Sequence, residues 1–361
     1  MDHEARIKRV RESLSANDAE ALLVTDLANV RYLTGFSGSN GQVLITDVEA
    51  LFMSDARYAA RAADMVQGAE VLIYAHRMSD ALRERLDGVS RVGIEATNLS
   101  VASLGSLTER LDGVELVPTK SLVENLRRTK DQEEVALLRE AIRIGDEGFS
   151  WVLSRLIEGA TEREVALDLE VHLRSSGAEA VSFEPIVGSG PLSAHIHHTP
   201  SERALQRGDI VLMDFGCRFE GYCSDLTRTV VLGGASDEQR ETYELVLRAQ
   251  KEGIAAAKAG AGTEDVDVAA RSLIKGAGHG DEFPHSLGHG VGLHIHEAPR
   301  LGKSPEEDLD ARALKAHDVV TIEPGVYLNG KFGVRIEDCV LVTEQGCEVL
   351  GSAPKDDLLE V

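Results

Sequence analysis

No stretch of the chain is apolar over the roughly 20 residues that a membrane-spanning helix requires. The opening MDHEARIKRVRE is charged where a secretory signal would carry its apolar core, so a cytoplasmic protein with no membrane partner is expected. Basic residues are in deficit too: 38 Lys and Arg stand against 61 Asp and Glu, a formal charge of −23, with no basic block anywhere. Binding to a phosphate backbone needs a Lys/Arg surplus on one face, which excludes nucleic acid as a partner. Cysteine is scarce. Cys217, Cys223, Cys339 and Cys347 form no CxxC pair and read as reduced, largely buried thiols. Low-complexity segments and short repeats are also lacking. What remains is a 361-residue chain of ordinary apolar content, long enough for two domains and a sizeable core.

Residues 3–15 carry apolar and basic positions at helical spacing, and Ala21–Thr25 is a short buried strand. Strand-like QVLIT, ALFM, EVLIY, RVGIE and VELVP then alternate with helical patterns over Ala56–Val66, Met78–Leu86 and Val101–Leu111, an α/β rhythm that ends near Val117. Pro118 and Thr119 break it. From Leu122 a long amphipathic stretch reads as a short helix followed by a longer one, placing a domain boundary at 121/122. Beyond it, helices over Glu162–Ser175, Thr242–Ala259 and Glu264–Gly276 are interspersed with strand-like hairpins, an α+β order in a domain spanning 122–361. Two halves, each of helices plus a hairpin, fit an old duplication.

The chemistry gathers in the hairpins. In DIVLMDFGCRFEGYCSDLTRTVVL, residues 209–232, two apolar runs flank Arg218–Gly221, which reads as a type I turn. A centre between Phe219 and Glu220 sets Asp214 directly opposite Asp225, with Cβ atoms roughly 5 Å apart. Like charges so placed repel unless they share a proton or hold a cation. In VVTIEPGVYLNGKFGVRIED, residues 319–338, Glu323 and Glu337 end the two strands of a second hairpin that turns at Asn329-Gly330. Between them, FPHSLGHGVGLHIHEAPR crowds His285, His289, His294 and His296 among glycines that bring backbone close to something. A Gly/Pro/Ser loop, GSGPLSAHIHH, carries three more histidines. Four carboxylates and at least one imidazole form a hard, oxygen-rich ligand set for two divalent cations. It suits Mn²⁺ better than a thiolate-type zinc site. Two dications and a bridging hydroxide also nearly balance four carboxylates, which unpaired and buried would each cost several kcal/mol.

At these residues the chain resembles the pita-bread metallopeptidases: prolidase, aminopeptidase P, methionine aminopeptidase and their non-metal relative creatinase. The matching stretches are MDFG…GYCSDLTRT, HSLGHGVGLHIHE, TIEPGVY and GVRIED, in the family's order and across residues 122–350. NVRYLTGFSGSNG and MSDARY add a resemblance to the family's smaller α/β creatinase-like N-terminal domain, over residues 1–121, which methionine aminopeptidases lack. The implied fold is therefore that domain followed by an α+β pita-bread catalytic domain. The resemblance implies Asp214 as ligand of one metal, Asp225 and Glu337 as bridges, and His289 with Glu323 completing the other site. The ions implied are Mn, with Co or Zn as alternatives. His197 and His296 match the histidines that contact substrate and move protons, Arg335 would brace Glu337 from the same strand face, and His285 either does likewise or is simply packed. His294 replaces an acid and Ile196 a proline of the usual pattern.

The implied reaction is hydrolysis of an Xaa-Pro bond in a dipeptide by a metal-bridging hydroxide, with Glu323 shuttling the proton and His197 and His296 serving the oxyanion or the leaving imide nitrogen. Aminopeptidase P, acting on longer peptides, is the alternative, and a non-catalytic interaction scaffold is the remote one. A homodimer is expected. Arg300, four residues after His296, matches an arginine that prolidases carry, and its planar fork suits the substrate's carboxylate.

Overall fold

The computed structural model describes residues 1–303 and 312–361, which divide into two compact units, Met1–Arg127 and Arg128–Val361. Among the described residues no helix is long and apolar enough to cross a membrane.

The first unit is a six-stranded sheet in the order Glu70–Tyr74, Ala50–Asp55, Gln42–Thr46, Ala21–Val24, Arg91–Glu95, Glu115–Thr119. Its strands run parallel except Gln42–Thr46, which is antiparallel to both neighbours. The α/β rhythm of the sequence is thus present, with one helix it did not announce. Leu27–Thr34 is capped by Asp26, whose carboxylate accepts from the Ala28 and Asn29 amides, and ends where Gly35 turns left-handed at φ 77°. Leu23, Leu44, Leu51, Met53, Leu82 and Ile94 form the core of this unit.

The second unit repeats one order twice: two helices, then a long hairpin. The helices Gln132–Val152 and Glu162–Ser175 precede the hairpin strands Ile210–Phe215 and Leu226–Val231, while Asp237–Ala256 and Thr263–Gly276 precede Val319–Ile322 and Asp338–Val342. Three of these helices start in full capping boxes, Asp131 with Glu134, Thr161 with Glu164 and Ser236 with Gln239. The third box moves its helix start ahead of the expected Thr242. Each half has its own core. Phe149, Leu169, Val211 and Met213 belong to the first, and Val246, Ala270, Val320 and Val340 to the second.

The register of the first hairpin differs from the sequence expectation. Phe219 pairs with Tyr222, so the turn residues are Glu220 and Gly221, at φ 45° and 82°; two left-handed residues make the tight turn that matches strand twist, not a type I turn. Asp214 consequently faces Thr227, not Asp225. Asp225 lies diagonally from Asp214 on the same face, still within reach. All four cysteines are free, three buried and Cys347 half-buried.

Candidate metal centre and active site

Both hairpins lose their ladder pairing at the acids. In the first, pairing stops at Phe215 with Leu226 and resumes at Arg218 with Cys223, leaving two residues on each strand between. Asp225 lies in that gap. The second hairpin stops at Ile322 with Asp338 and resumes at Gly325 with Arg335, and Glu323 and Glu337 occupy facing positions of the gap. A broken ladder frees backbone groups to bond across hairpins: the Glu337 amide donates to the Thr227 carbonyl at 3.2 Å, and Thr229 Oγ1 donates to the Arg335 carbonyl at 2.9 Å. Arg228, 1% exposed, ties the seam with donations to the Thr227 and Glu337 carbonyls and, at 2.7 Å, to Asp338.

The strand Gly288–Gly290 brings the imidazole. Its glycines are required by close neighbours, since a Cβ at Gly288 would lie 2.0 Å from the Thr321 carbonyl oxygen and one at Gly290 2.3 Å from that of Ala298. His289 Nδ1 donates to the Gly290 carbonyl at 2.9 Å, which leaves the Nε2 lone pair facing Asp225 Oδ2 at 3.5 Å and Glu323 Oε1 at 3.4 Å. Burial pushes the His289 pKa down to about 4, keeping the ring neutral as a ligand must be. Ligand atoms of Asp225, His289 and Glu337 all lie within 4.8 Å of one another.

Arg335, 2% exposed, is the cation nearest these acids. It donates to Asp214 Oδ2 at 2.5 Å, to Thr227 Oγ1 at 3.0 Å and to Tyr327 Oη at 2.7 Å. Burial opposes its charge, but Tyr327, Asp214 and Glu323 outweigh burial and hold the guanidinium above its ordinary range. His285 Nδ1 donates to the Ser286 carbonyl, so its Nε2 accepts from the Tyr327 hydroxyl at 2.9 Å; burial pushes its pKa down to about 4. His285 therefore reaches Asp214 through Tyr327 and Arg335.

The carboxylates are short of partners. Asp214 Oδ1, Asp225 Oδ1 and Glu337 Oε1 are buried with no hydrogen-bond donor among the described residues. Burial, and after it the neighbouring carboxylates, hold Asp225 and Glu337 well above the usual range, and burial pushes Glu323 up to about 8. Buried carboxylates with orphaned oxygens, two of which, Asp225 and Glu337, have ligand atoms within 4.8 Å of the His289 imidazole, fit a divalent cation, while Asp214 lies outside that group of three. Two threonines and a tyrosine that the sequence reading passed over complete the surround: Thr227 Oγ1 donates to Glu337 at 2.6 Å, Thr321 Oγ1 to Glu323 at 3.0 Å, and Tyr327 joins Arg335 to His285. Thr227 and Thr321 stand two residues from Asp225 and Glu323, on the same strand faces, and that period of two was the available signal.

The remaining sequence candidates lie at the edge. His296 is exposed, with its ring edge-on to His289 at a centroid distance of 4.4 Å, and its pKa is lowered first by burial and then by the charge of His197. His197 is exposed, and its charge also bears on His285. Arg300 is exposed and pairs with His289 across the adjoining strand Glu297–Leu301. His294 is exposed, while Ile196 packs beside Ile186, Leu212 and Tyr327.

Residues 136–344 match the model of metallopeptidase family M24, and residues 6–129 that of the creatinase/prolidase N-terminal domain. An Xaa-Pro dipeptidase of Pyrococcus furiosus is 35% identical over 354 residues, covering 97% of this chain and 99% of the relative. Among solved structures, an Xaa-Pro dipeptidase from Bacillus anthracis superposes with a TM-score of 0.96 at 38% identity over the whole of both chains. An X-Pro aminopeptidase from Thermotoga maritima superposes with a TM-score of 0.90 at 34% identity over 97% of this chain and 100% of the other. The expectation drawn from the motifs is met on both counts: the chain belongs to metallopeptidase family M24, a creatinase/prolidase N-terminal domain preceding a pita-bread catalytic domain, and is a divalent-metal-dependent enzyme.

Proposed function

We propose that the protein hydrolyses the Xaa-Pro bond of dipeptides. The observation that carries this reading is the group formed by Asp225, Glu337 and His289, two of its members carboxylates with an orphaned buried oxygen, in a chain so similar to Xaa-Pro dipeptidases over its whole length. Asp214, Asp225, Glu337, His289 and Glu323 would hold two ions, with Asp225 and Glu337 shared between them, and the oxygen-rich set favours Mn over Co or Zn. Bound there, divalent cations polarise a carbonyl and acidify a water toward neutrality. Glu323, ionised when cations share its site, would take the proton of the attacking water. His296 and His197 would donate ring N–H groups to the developing oxyanion, and the proton taken by Glu323 would pass to the leaving nitrogen. Proline's nitrogen carries no N–H in the peptide, so its proton must be delivered. Arg300, exposed beside His289, receives the free carboxylate after proline.

The similarity to an X-Pro aminopeptidase favours a second reading, cleavage before proline in longer peptides. Metal-reconstituted protein assayed on Xaa-Pro dipeptides beside Xaa-Pro-containing tripeptides separates the two. Preference for dipeptides is expected, with Arg300→Ala raising KM for the dipeptide far more than for its C-terminal amide. Efficient tripeptide cleavage would transfer the assignment to the aminopeptidase reading. The further assignments, domains at 1–121 and 122–361, a cytoplasmic location and a homodimer, rest on the sequence, and limited proteolysis and light scattering test the first and last.

A further inference from the structure

The loop between Ser189 and Ser201 carries His197, and a single carboxylate outside the metal centre grips both of its ends. Glu162 is the first residue of the helix Glu162–Ser175 and is fully buried. Its Oε1 accepts from the Ser189 amide at 2.8 Å and the Ser189 hydroxyl at 2.7 Å. Its Oε2 accepts from His198 Nε2 at 2.8 Å, the Ser201 amide at 3.0 Å and the Ser201 hydroxyl at 2.6 Å. Burial works against this charge, but the donors outweigh it and hold the carboxyl below its ordinary range, helped by its place in the first turn of a helix. Ionised, it can satisfy both ends of the loop at once.

The residues on either side of His197 are both tied down. Ile196 packs in the apolar cluster of Ile186, Leu212 and Tyr327, and His198 is bonded to Glu162. A third anchor lies midway, where Ser193 Oγ accepts from the Gly333 amide at 2.9 Å, two residues before Arg335. Gly333 has no room for a side chain there, since a Cβ would lie 2.3 Å from the Ser193 carbonyl oxygen. His197, held from both sides, is itself exposed.

We infer that Glu162 is a positioning residue for His197: by bonding Ser189, His198 and Ser201 together it fixes the loop so that the His197 imidazole stands at the metal centre. The inference rests on the reading of His197 as a substrate-contacting group in Xaa-Pro hydrolysis. It makes Glu162, outside the ligand set and with no contact to a reacting atom, a determinant of turnover.

Glu162→Gln tests this with little change of volume, because an amide presents one oxygen and one NH₂ and can serve only one of the two groups of donors. In the full-length, metal-reconstituted protein, kcat on an Xaa-Pro dipeptide should fall about ten- to a hundred-fold, the scale of a 1 Å misplacement. Metal content should be unchanged, and hydrogen exchange at the Ser189 and Ser201 amides should quicken. In a His197→Ala background the same substitution should cost less than about twofold in kcat, because it acts through that ring. An equal factor in both backgrounds would overturn the inference in favour of a general structural role. If His197→Ala slows turnover and Glu162→Gln does not, the inference falls while the reading of His197 stands; if His197→Ala changes neither kcat nor KM, both fall together. Should Glu162→Gln fail to fold, Ser201→Ala removes one donor and leaves the carboxylate, and the same dependence on His197 decides the matter.

Discussion

Arg335→Met is the substitution whose cost is best worked from the structure. The guanidinium is the buried counter-charge to four carboxylates, Asp214, Asp225, Glu323 and Glu337, and bonds directly to the first. Removing one partner of a buried pair costs about 3–5 kcal/mol. Tyr327 and Thr227 each lose a hydrogen bond as well, about 1 kcal/mol apiece, partly offset by the apolar methionine. A loss of about 5 kcal/mol is therefore expected in metal-free protein, a large fraction of the 5–15 kcal/mol typical of a fold. The loss must also depend on pH. Arg335 pulls the pKa values of Asp225, Glu323 and Glu337 downward, so without it they rise further above their unfolded values. The folded variant then holds protons that the unfolded chain releases above about pH 4.5, and stability falls as pH rises, more steeply than in the unmutated protein. Urea unfolding of chelator-treated protein, followed by Trp151, the only tryptophan and in the same unit as the site, measures this at pH 5 and pH 8. Adding metal should recover most of the loss, and Arg335→Lys should fall between. A loss under about 1 kcal/mol at pH 8, or one equal at both pH values, would refute the electrostatic account.

Asp225→Asn and Glu337→Gln should each release metal and abolish hydrolysis, since a neutral amide is a poor bridging ligand; metal analysis with both ions retained and activity intact would reject their roles. His296→Ala should keep its metal and lower kcat, whereas loss of an ion would mean that it and His289 have exchanged roles. The unmutated protein, stripped of metal, should lose stability from pH 5 to pH 8 as Glu323, with a pKa of about 8, and its neighbours are forced to ionise, and metal should flatten the profile in thermal melts. Gly290→Ala should cost at least about 2 kcal/mol and weaken metal binding, because its Cβ meets the Ala298 carbonyl beside His289; an unchanged melting temperature would contradict that contact.

Much of this was legible in the chain. The acids read as functional because they end apolar strands, where solvation is poor, and the glycines around His289 read as close backbone approach, which the contacts of Gly288 and Gly290 with Thr321 and Ala298 explain. The helix after Asp131 was legible from its amphipathic pattern. The register of the first hairpin was not. Glu at a left-handed turn position is uncommon, so Glu220-Gly221 is a weaker turn signal than Asn-Gly would be, and the residue pattern points to a centre one residue too early. The helix Leu27–Thr34 follows its strand after two residues and mixes aromatic and branched residues, so its periodicity was too faint to read. Tyr327 and Glu162 escaped because their importance lies in partners more than a few residues away, which no local pattern encodes.

The two interrupted ladders place a rule on chain length. In each hairpin the outer arm resumes pairing in the register of the inner one, across two residues on each strand. Inserting or deleting one residue between Phe215 and Arg218, or between Ile322 and Gly325, would put the arm and its base out of step and turn one of them face for face. The number of residues in those gaps is fixed by register alone, whatever chemistry their side chains carry. At the tips, Glu220-Gly221 and Asn329-Gly330, added residues extend only the loop. Among diverging copies of this fold, length variation should therefore collect at the ends of the hairpins and be absent at the four acids.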